Sequence, residues 1–292
     1  MTGLPASPLP LPLDRPRPAA QSHRGATHSF DIGPDLAARL SALAARTGTT
    51  PFMVLNAVYA VLLARYSGQS DIPVGSPIAN RRSAQVEGMI GFFVNTIVLR
   101  HAVDPGLRFI DFLAQVRQTA LGAFDHQDLP FEQLVDLLNP ERSLAYAPIF
   151  QVSFALQNAP SAVPVLPGLA VLATEAESVT AKFDLTLTGF ETAGGLHFDC
   201  EYATDLFDAA TIVRFCHDYA ALLAAVAEAP QTALHALPLV TAEDRARLEG
   251  WNKTAVAMPK GSALEAFEAQ ARQRPEAIAI IWNDRPLSYG AR

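Results

Sequence analysis

The stretch "HQDLPFEQLV", residues 126–135, gathers a histidine, two carboxylates and two glutamines around the start of an apolar run. His126, Asp128 and Glu132 could form an acid/base constellation. An imidazole whose ordinary pKa lies near 6.5 is suited to general-base work at neutral pH. The competing reading is the start of a helix. Asp128 or Leu129 would be the N-cap, with Pro130 in the first turn and Glu132 early, where the helix dipole favours a carboxylate. Phe131, Leu134, Val135 and Leu138 would then form the buried stripe. Acids gathered at a helix start are usually caps, and a lone histidine beside a cap is more often a hydrogen-bonded structural residue.

Other polar residues fall short of complete chemistry. "GSPIANRR" (75–82) contains Gly75 and Ser76 but not the G-x-S-x-G of a nucleophile elbow. Arg81 and Arg82 lack the glycine framework of a phosphate loop and read as a solvated or interface pair. Asn95, in "FFVNTI", is unusual because asparagine is depleted in strands. It is either a buried amide satisfying neighbouring backbone or a polar group facing a cleft. Gln151 and Ser153 lie on the polar side of an alternating strand. His217, Cys200 and Cys216 read as packing or surface residues. No nucleotide-binding glycine loop or metal-ligand spacing occurs, and no complete active site can be assembled from these residues alone.

These residues need a scaffold, and the composition provides for one. The 292 residues are 50% hydrophobic, enough for one large core or two smaller ones. Charged residues make up 17% and the net charge is −7, which does not recommend nucleic acid as a partner. The apolar run "MVLNAVYAVLLA" (53–64) is too short and interrupted for a bilayer span, so no membrane partner is expected. The first residues, "MTGLPASPLPLPLDRPRPA", are proline-rich and read as an extended linker, not a signal peptide. Two cysteines are too few for a disulfide framework, and a cytoplasmic protein is expected.

Helix and strand signals alternate, which implies an α/β fold. A strand is expected at 27–32, then a helix with Leu36, Leu40 and Leu43 on its apolar face. The next helix has Thr50 as cap, Pro51 at its first position and Gly68 past its end. "DIPVGSPI" is a short strand, and "IGFFVNTIVLR" (90–100) reads as a strand covered on both faces. A helix follows with Phe109, Phe112, Leu113, Val116, Ala120 and Phe124 inward. "IFQVSFALQ" (149–157), "KFDLTLTGF" and "LHFDCEY" alternate as strands, the last two joined by a hairpin at Gly194-Gly195. Asp208 caps a long amphipathic helix that ends at Pro230. The expected segments are a Pro-rich stretch at 1–24, a domain at 25–231, a linker at 232–259 and the opening of a second domain at 260–292. So short a final piece buries too little apolar surface to stand alone, so the second domain is expected to be cut off.

Several of these stretches, in order, resemble the condensation domain of nonribosomal peptide synthetases. They are "LPLDRPRPAAQSHRGA", "LLARYSGQSDIPVGSPIANRR", "IGFFVNT", "HQDLPFEQLVDLLNPERS" and "PIFQVSFALQN", followed by "FDLTLTGFE" and "EYATDLFDAATIVRF". "WNKT" and "LEAFEAQARQRPEAIAIIWNDRPLSY" resemble the start of an adenylation domain. The resemblance implies two lobes, each similar to chloramphenicol acetyltransferase, with a tunnel between them. Peptidyl carrier proteins deliver thioesters to it on phosphopantetheine arms, and the acceptor amine attacks the donor thioester. The family's HHxxxDG motif belongs to the N-terminal lobe. This sequence has no adjacent histidine pair, so it resembles the C-terminal lobe alone. The expected partners are carrier proteins, the N-terminal lobe and the remainder of an adenylation domain. No directly bound cofactor is expected. Asn80, Arg81, Asn95, His126, Asp128, Gln151 and Ser153 are then candidates for tunnel wall or lobe interface, and no catalytic residue is assigned. A single lobe should also expose an apolar face. Two other readings remain open: a noncatalytic docking or lobe-complementing module, and a stand-alone small-molecule acyltransferase using His126.

Overall fold

A computed structural model describes residues 8–81, 84–157, 179–257 and 261–291. Residues 1–7, Arg82 and the end of the expected linker lie outside the described residues. The chain divides into two compact units, Met1–Thr241 and Ala242–Arg292.

In the larger unit β1 (Gly25–Ile32) leads into α1 (Pro34–Thr47) and α2 (Pro51–Ser67). β2 (Asp71–Ile78), the single turn α3 (Ala84–Glu87) and β3 (Asn95–Ala102) follow, then α4 (Phe109–Asp125), α5 (Phe131–Leu138) and β4 (Val152–Gln157). β5 (Leu185–Thr192), β6 (Gly195–Ala203) and α6 (Ala209–Glu228) complete it. The six strands form one mixed sheet in the order β1-β6-β5-β4-β2-β3. β5 and β4 run parallel, and β4 meets β2 at the single parallel pair Gly75 and Ser153. The remaining neighbours are antiparallel.

Local chemistry accounts for most boundaries. The Thr50 hydroxyl accepts from the Met53 N–H at 3.3 Å, Pro51 opens α2, and Gly68 ends it at φ 67°. Every residue from Met53 to Leu63 is buried, so α2 is apolar on all sides and lies in the core. α6 is long and apolar enough by composition to cross a bilayer. Its Ile212, Phe215, Tyr219, Leu222 and Leu223 are buried in the core. The β5–β6 hairpin turns through Ala193 and Gly194. Gly195 follows at φ 125°, where a Cβ would sit 2.2 Å from the Ile32 carbonyl oxygen.

Four expectations need correction. The strand expected at 90–100 starts only at Asn95, whose partner Ile78 is the last residue of β2. Beyond it Asn80 turns away at φ 52°, so residues 90–94 have no strand to pair with and β3 is an edge strand. The proline-rich segment is not a free linker from residue 8 onward. Leu9 and Leu11 are buried, and Asp14 accepts from the Asp208 N–H and the Thr211 hydroxyl. The first unit ends at Thr241, not residue 231, because Leu234 and Leu237 are buried and Phe109 N–H donates to the Thr232 carbonyl. The Asp208 side chain does not cap α6, since its carboxylate pairs with Arg15 and the cap position makes no side-chain bond.

The smaller unit holds α7 (Ala242–Trp251), α8 (Ala263–Gln273), β7 (Ile278–Trp282) and β8 (Arg285–Ser288). Ser262 and Glu265 form a capping box at the start of α8. Asn283 and Asp284, both at positive φ, turn β7 into β8. The helix, strand, turn and strand order matches the expectation for this region.

Candidate functional site

The polar residues singled out in the sequence are spread along β2 and its neighbours, with Asn95 at the end of β2 beside the loop before α5 and Gln151 near its start. An aromatic cluster outside the main core holds this region. Phe150 packs against Phe131 of α5 at 5.5 Å and against Phe183 at 5.0 Å between ring centroids. Gly75 makes room for it, since a Cβ there would lie 2.1 Å from the Phe150 ring.

Asn95 joins the two central motifs. Its amide nitrogen donates to the Gln127 and Leu129 carbonyls, both at 2.8 Å, and its amide oxygen accepts from the Phe131 N–H at 3.1 Å. "IGFFVNT" and "HQDLPFE" are therefore fastened together by one side chain. Of the two readings of this residue, the amide satisfying neighbouring backbone is the one the structure adopts. Replacing Asn95 by alanine removes three hydrogen bonds at a half-buried site. The expected loss is about 1–2 kcal/mol, with faster amide hydrogen exchange at Phe131 as the local readout. Unchanged exchange there would contradict the fastening role.

The N-cap of α5 is Pro130, not Asp128 or Leu129, and it makes no side-chain cap bond. Proline has no side-chain acceptor to offer the first helical N–H, and Asn95 supplies that acceptor from another element. The stripe of Phe131, Leu134, Val135 and Leu138 is half-buried, and α5 has no fully buried residue. His126 is the C-cap of α4 with an exposed side chain, and Asp128 and Glu132 are exposed as well. The three are not gathered in an enclosed site, so the acid/base reading finds no support in the geometry.

Arg81 is no free surface charge. It donates to the Val86 carbonyl and, at 2.8 Å, to the Met89 carbonyl, and its guanidinium lies 4.4 Å from the centroid of the Phe93 ring. It braces the loop that β2 enters through Asn80. That loop presents Ile90 and Phe92 almost fully to solvent, at 102% and 92% exposure, with Met89 and Val94 half exposed beside them. Scattered apolar residues on a surface are ordinary, but four within six residues on a braced loop form a patch.

Gln151 and Ser153 are buried and committed internally. Gln151 accepts from the Leu9 N–H at 2.9 Å and donates to the Ala147 carbonyl at 3.0 Å, while the Ser153 hydroxyl donates to the Gly75 carbonyl at 3.1 Å. They bind the N-terminal strap and β2, and Gln151 also lines a small crevice with Leu9, Gln69 and Pro73.

Two clusters had no sequence signal as sites. Arg17 meets the buried Asp184 carboxylate with both terminal nitrogens. On β6, His197 lies 2.8 Å from Asp31 and 3.3 Å from Asp199, and the Ser29 hydroxyl donates to Asp199. The bond from Asp31 raises the His197 pKa above its ordinary value. Only the pairing of β1 with β6 could have foretold this cluster. Among the described residues no group of three or more histidines, cysteines and carboxylates is arranged to hold a metal ion.

A family model described as "Condensation domain" matches residues 4–249. A component of the linear gramicidin synthase of Brevibacillus parabrevis is 47% identical over 286 residues, which cover 97% of this chain and 6% of that protein. Tyrocidine synthase 3 of the same organism is 40% identical over 283 residues, covering 96% of this chain and 4% of the relative. The chain thus spans only a small part of the curated relatives it matches. Among solved structures, a four-domain nonribosomal peptide synthetase bound to AMP and glycine superposes with a TM-score of 0.84 over 98% of this chain and 23% of its own. At 22% identity this likeness shows the fold. The X-domain from teicoplanin biosynthesis superposes with a TM-score of 0.73 at 28% identity, over 79% of this chain and 53% of its own.

Proposed function

The chain belongs to the condensation-domain family, and from that premise we propose that it supplies the C-terminal lobe of a peptide-bond-forming domain in a nonribosomal peptide synthetase. The substrates would be aminoacyl or peptidyl thioesters on the phosphopantetheine arms of carrier proteins. The acceptor amine attacks the donor carbonyl. A C–N bond forms, the C–S bond breaks, the amine loses a proton and the donor thiol leaves. Such a step requires the amine to be positioned and its proton managed. Among the described residues none near Asn95 is arranged for that, since His126, Asp128 and Glu132 are exposed, and the sequence has no adjacent histidine pair. The lobe's share of the work is wall and docking surface, and residues 260–292 would begin the adenylation domain.

The observation that carries this reading is the Asn95 junction. It binds two motifs of the resemblance into one rigid corner beside the exposed Ile90 and Phe92. That apolar rim is the surface for the partner lobe. It also favours a second reading, a noncatalytic module that docks carrier protein.

The test uses two carrier proteins, one loaded with a donor and one with an acceptor aminoacyl thioester, with products followed by mass spectrometry. The chain alone is expected to form no amide, and addition of a separately expressed lobe carrying HHxxxDG is expected to restore it. Amide formation by the chain alone would overturn the lobe assignment. Failure with the added lobe, despite co-purification of the two, would leave the docking module.

A further inference from the structure

A crevice of about 340 Å³ opens at the far end of α2, between Val61, Val103, Pro105 and Leu234. Its volume is in the lower part of the range for small-molecule sites, roughly 300–1,000 Å³. The walls are mostly apolar, and no acidic side chain lines them. Arg65 is the one lining residue with a permanent charge. One terminal nitrogen, Nη2, donates to the Leu234 carbonyl and, at 3.0 Å, to the Leu237 carbonyl. Among the described residues neither Nη1 nor Nε has an acceptor, and no carboxylate pairs with the guanidinium. Burial, uncompensated by any acid, lowers the Arg65 pKa from its ordinary value.

A half-buried guanidinium held by two carbonyls, with N–H groups left over at the crevice and no counter-charge, is free to take an anion. We propose that this crevice binds a small amphipathic carboxylate, its acyl or aryl body against Val61, Val103 and Leu234 and its carboxylate on Arg65. The apolar walls account for the body and the unpaired guanidinium for the head group. A neutral alcohol of the same length satisfies only the first, and an amine opposes the second. The site is separate from the Asn95 corner, so the inference does not depend on the proposed function.

Octanoate serves as the probe, titrated into the full chain by calorimetry with amide shifts followed by NMR. One saturable site is expected, with shifts at Val103 and Leu234. Octan-1-ol should bind on the order of tenfold more weakly, the usual consequence of losing one charge-assisted hydrogen bond. Arg65→Met should weaken octanoate by a similar factor. Because Arg65 also holds residues 234–237, a second variant, Gln69→Trp, blocks the exposed rim without touching the charge and should abolish binding. If Arg65→Met unfolds, Gln69→Trp decides. No saturable binding of octanoate, equal binding of octan-1-ol, or full binding by Gln69→Trp would overturn the proposal and leave Arg65 as a clamp on the 234–237 turn.

Discussion

Replacing Arg17 by alanine is expected to destabilise the larger unit by about 3–5 kcal/mol, the usual cost of stripping a buried charge of its partner. The Asp184 side chain is 1% exposed and that of Arg17 15%. Arg17 Nη1 donates to one carboxylate oxygen at 2.9 Å and Nη2 to the other. Asp184 cannot swing out to find water. Its backbone N–H donates to the Gln151 carbonyl and its carbonyl accepts from the Ala203 N–H, which ties it to the start of β4 and the end of β6. Arg17→Lys should recover only part of the loss, since an ammonium cannot make the paired contact of a guanidinium. Arg17→Met with Asp184→Leu, which removes both charges, should be markedly more stable than Arg17→Ala. Urea midpoints measure all three. A loss below about 1 kcal/mol for Arg17→Ala, the range of an exposed ion pair, would mean that water reaches the carboxylate.

The second large effect is a loss of stability on mild acidification, traced to His101. This residue of β3 is buried, with Nε2 against the Asn56 amide oxygen at 2.7 Å and Phe112 beside the ring. Burial pushes its pKa down to about 4 from an ordinary 6.5. The unfolded chain therefore takes up a proton between those values that the folded chain refuses. The stabilisation is complete above pH 6.5 and is lost as pH falls towards 4. Over the whole window it amounts to about 3 kcal/mol. Denaturant unfolding at pH 7 and pH 5 should differ by roughly 2 kcal/mol from this group alone. Other groups titrate too, so the decisive comparison is with His101→Leu. That variant is less stable at pH 7 because Asn56 loses its partner, but its stability should vary less between pH 7 and 5. His197 works in the opposite sense, because its raised pKa stabilises the fold at low pH and that contribution fades as pH rises. Identical slopes for the native chain and His101→Leu would show that the ring is not desolvated.

Both residues show how far the sequence could be read. His101 lies in a stretch recognised as a strand, yet nothing in "IVLRHA" distinguishes a buried imidazole from an exposed one. Its burial depends on α2 and α4 covering that part of the sheet. The partner of Arg17 lies 167 residues further on, and the segment around Arg17 is rich in proline, which reads as a linker. Leu9 and Leu11 turn it into a strap because apolar side chains on an extended segment can be buried once a surface exists to receive them. "IGFFVNTIVLR" misled for a related reason. Its composition suits a covered strand throughout, but a strand needs a neighbour, and β2 ends opposite Asn95.

The sequence by itself determined the local grammar. Thr50, Pro51 and Gly68 delimit α2, Gly194 and Gly195 place the hairpin, and the alternation at 149–157 and 185–203 places the inner strands. The ordered motifs also identified the family. Such features depend on residues a few positions apart, whose backbone preferences and periodicities act locally. Only the tertiary structure decided that Asn95 fastens one motif to another, that Arg81 folds back to brace its loop, and that Ile90 and Phe92 face solvent. It also decided that Arg65 lies in a crevice with no acid beside it. Each outcome depends on which distant segment occupies the space around a side chain. Burial, hydrogen-bond satisfaction and charge compensation are properties of that surrounding space and not of the residue.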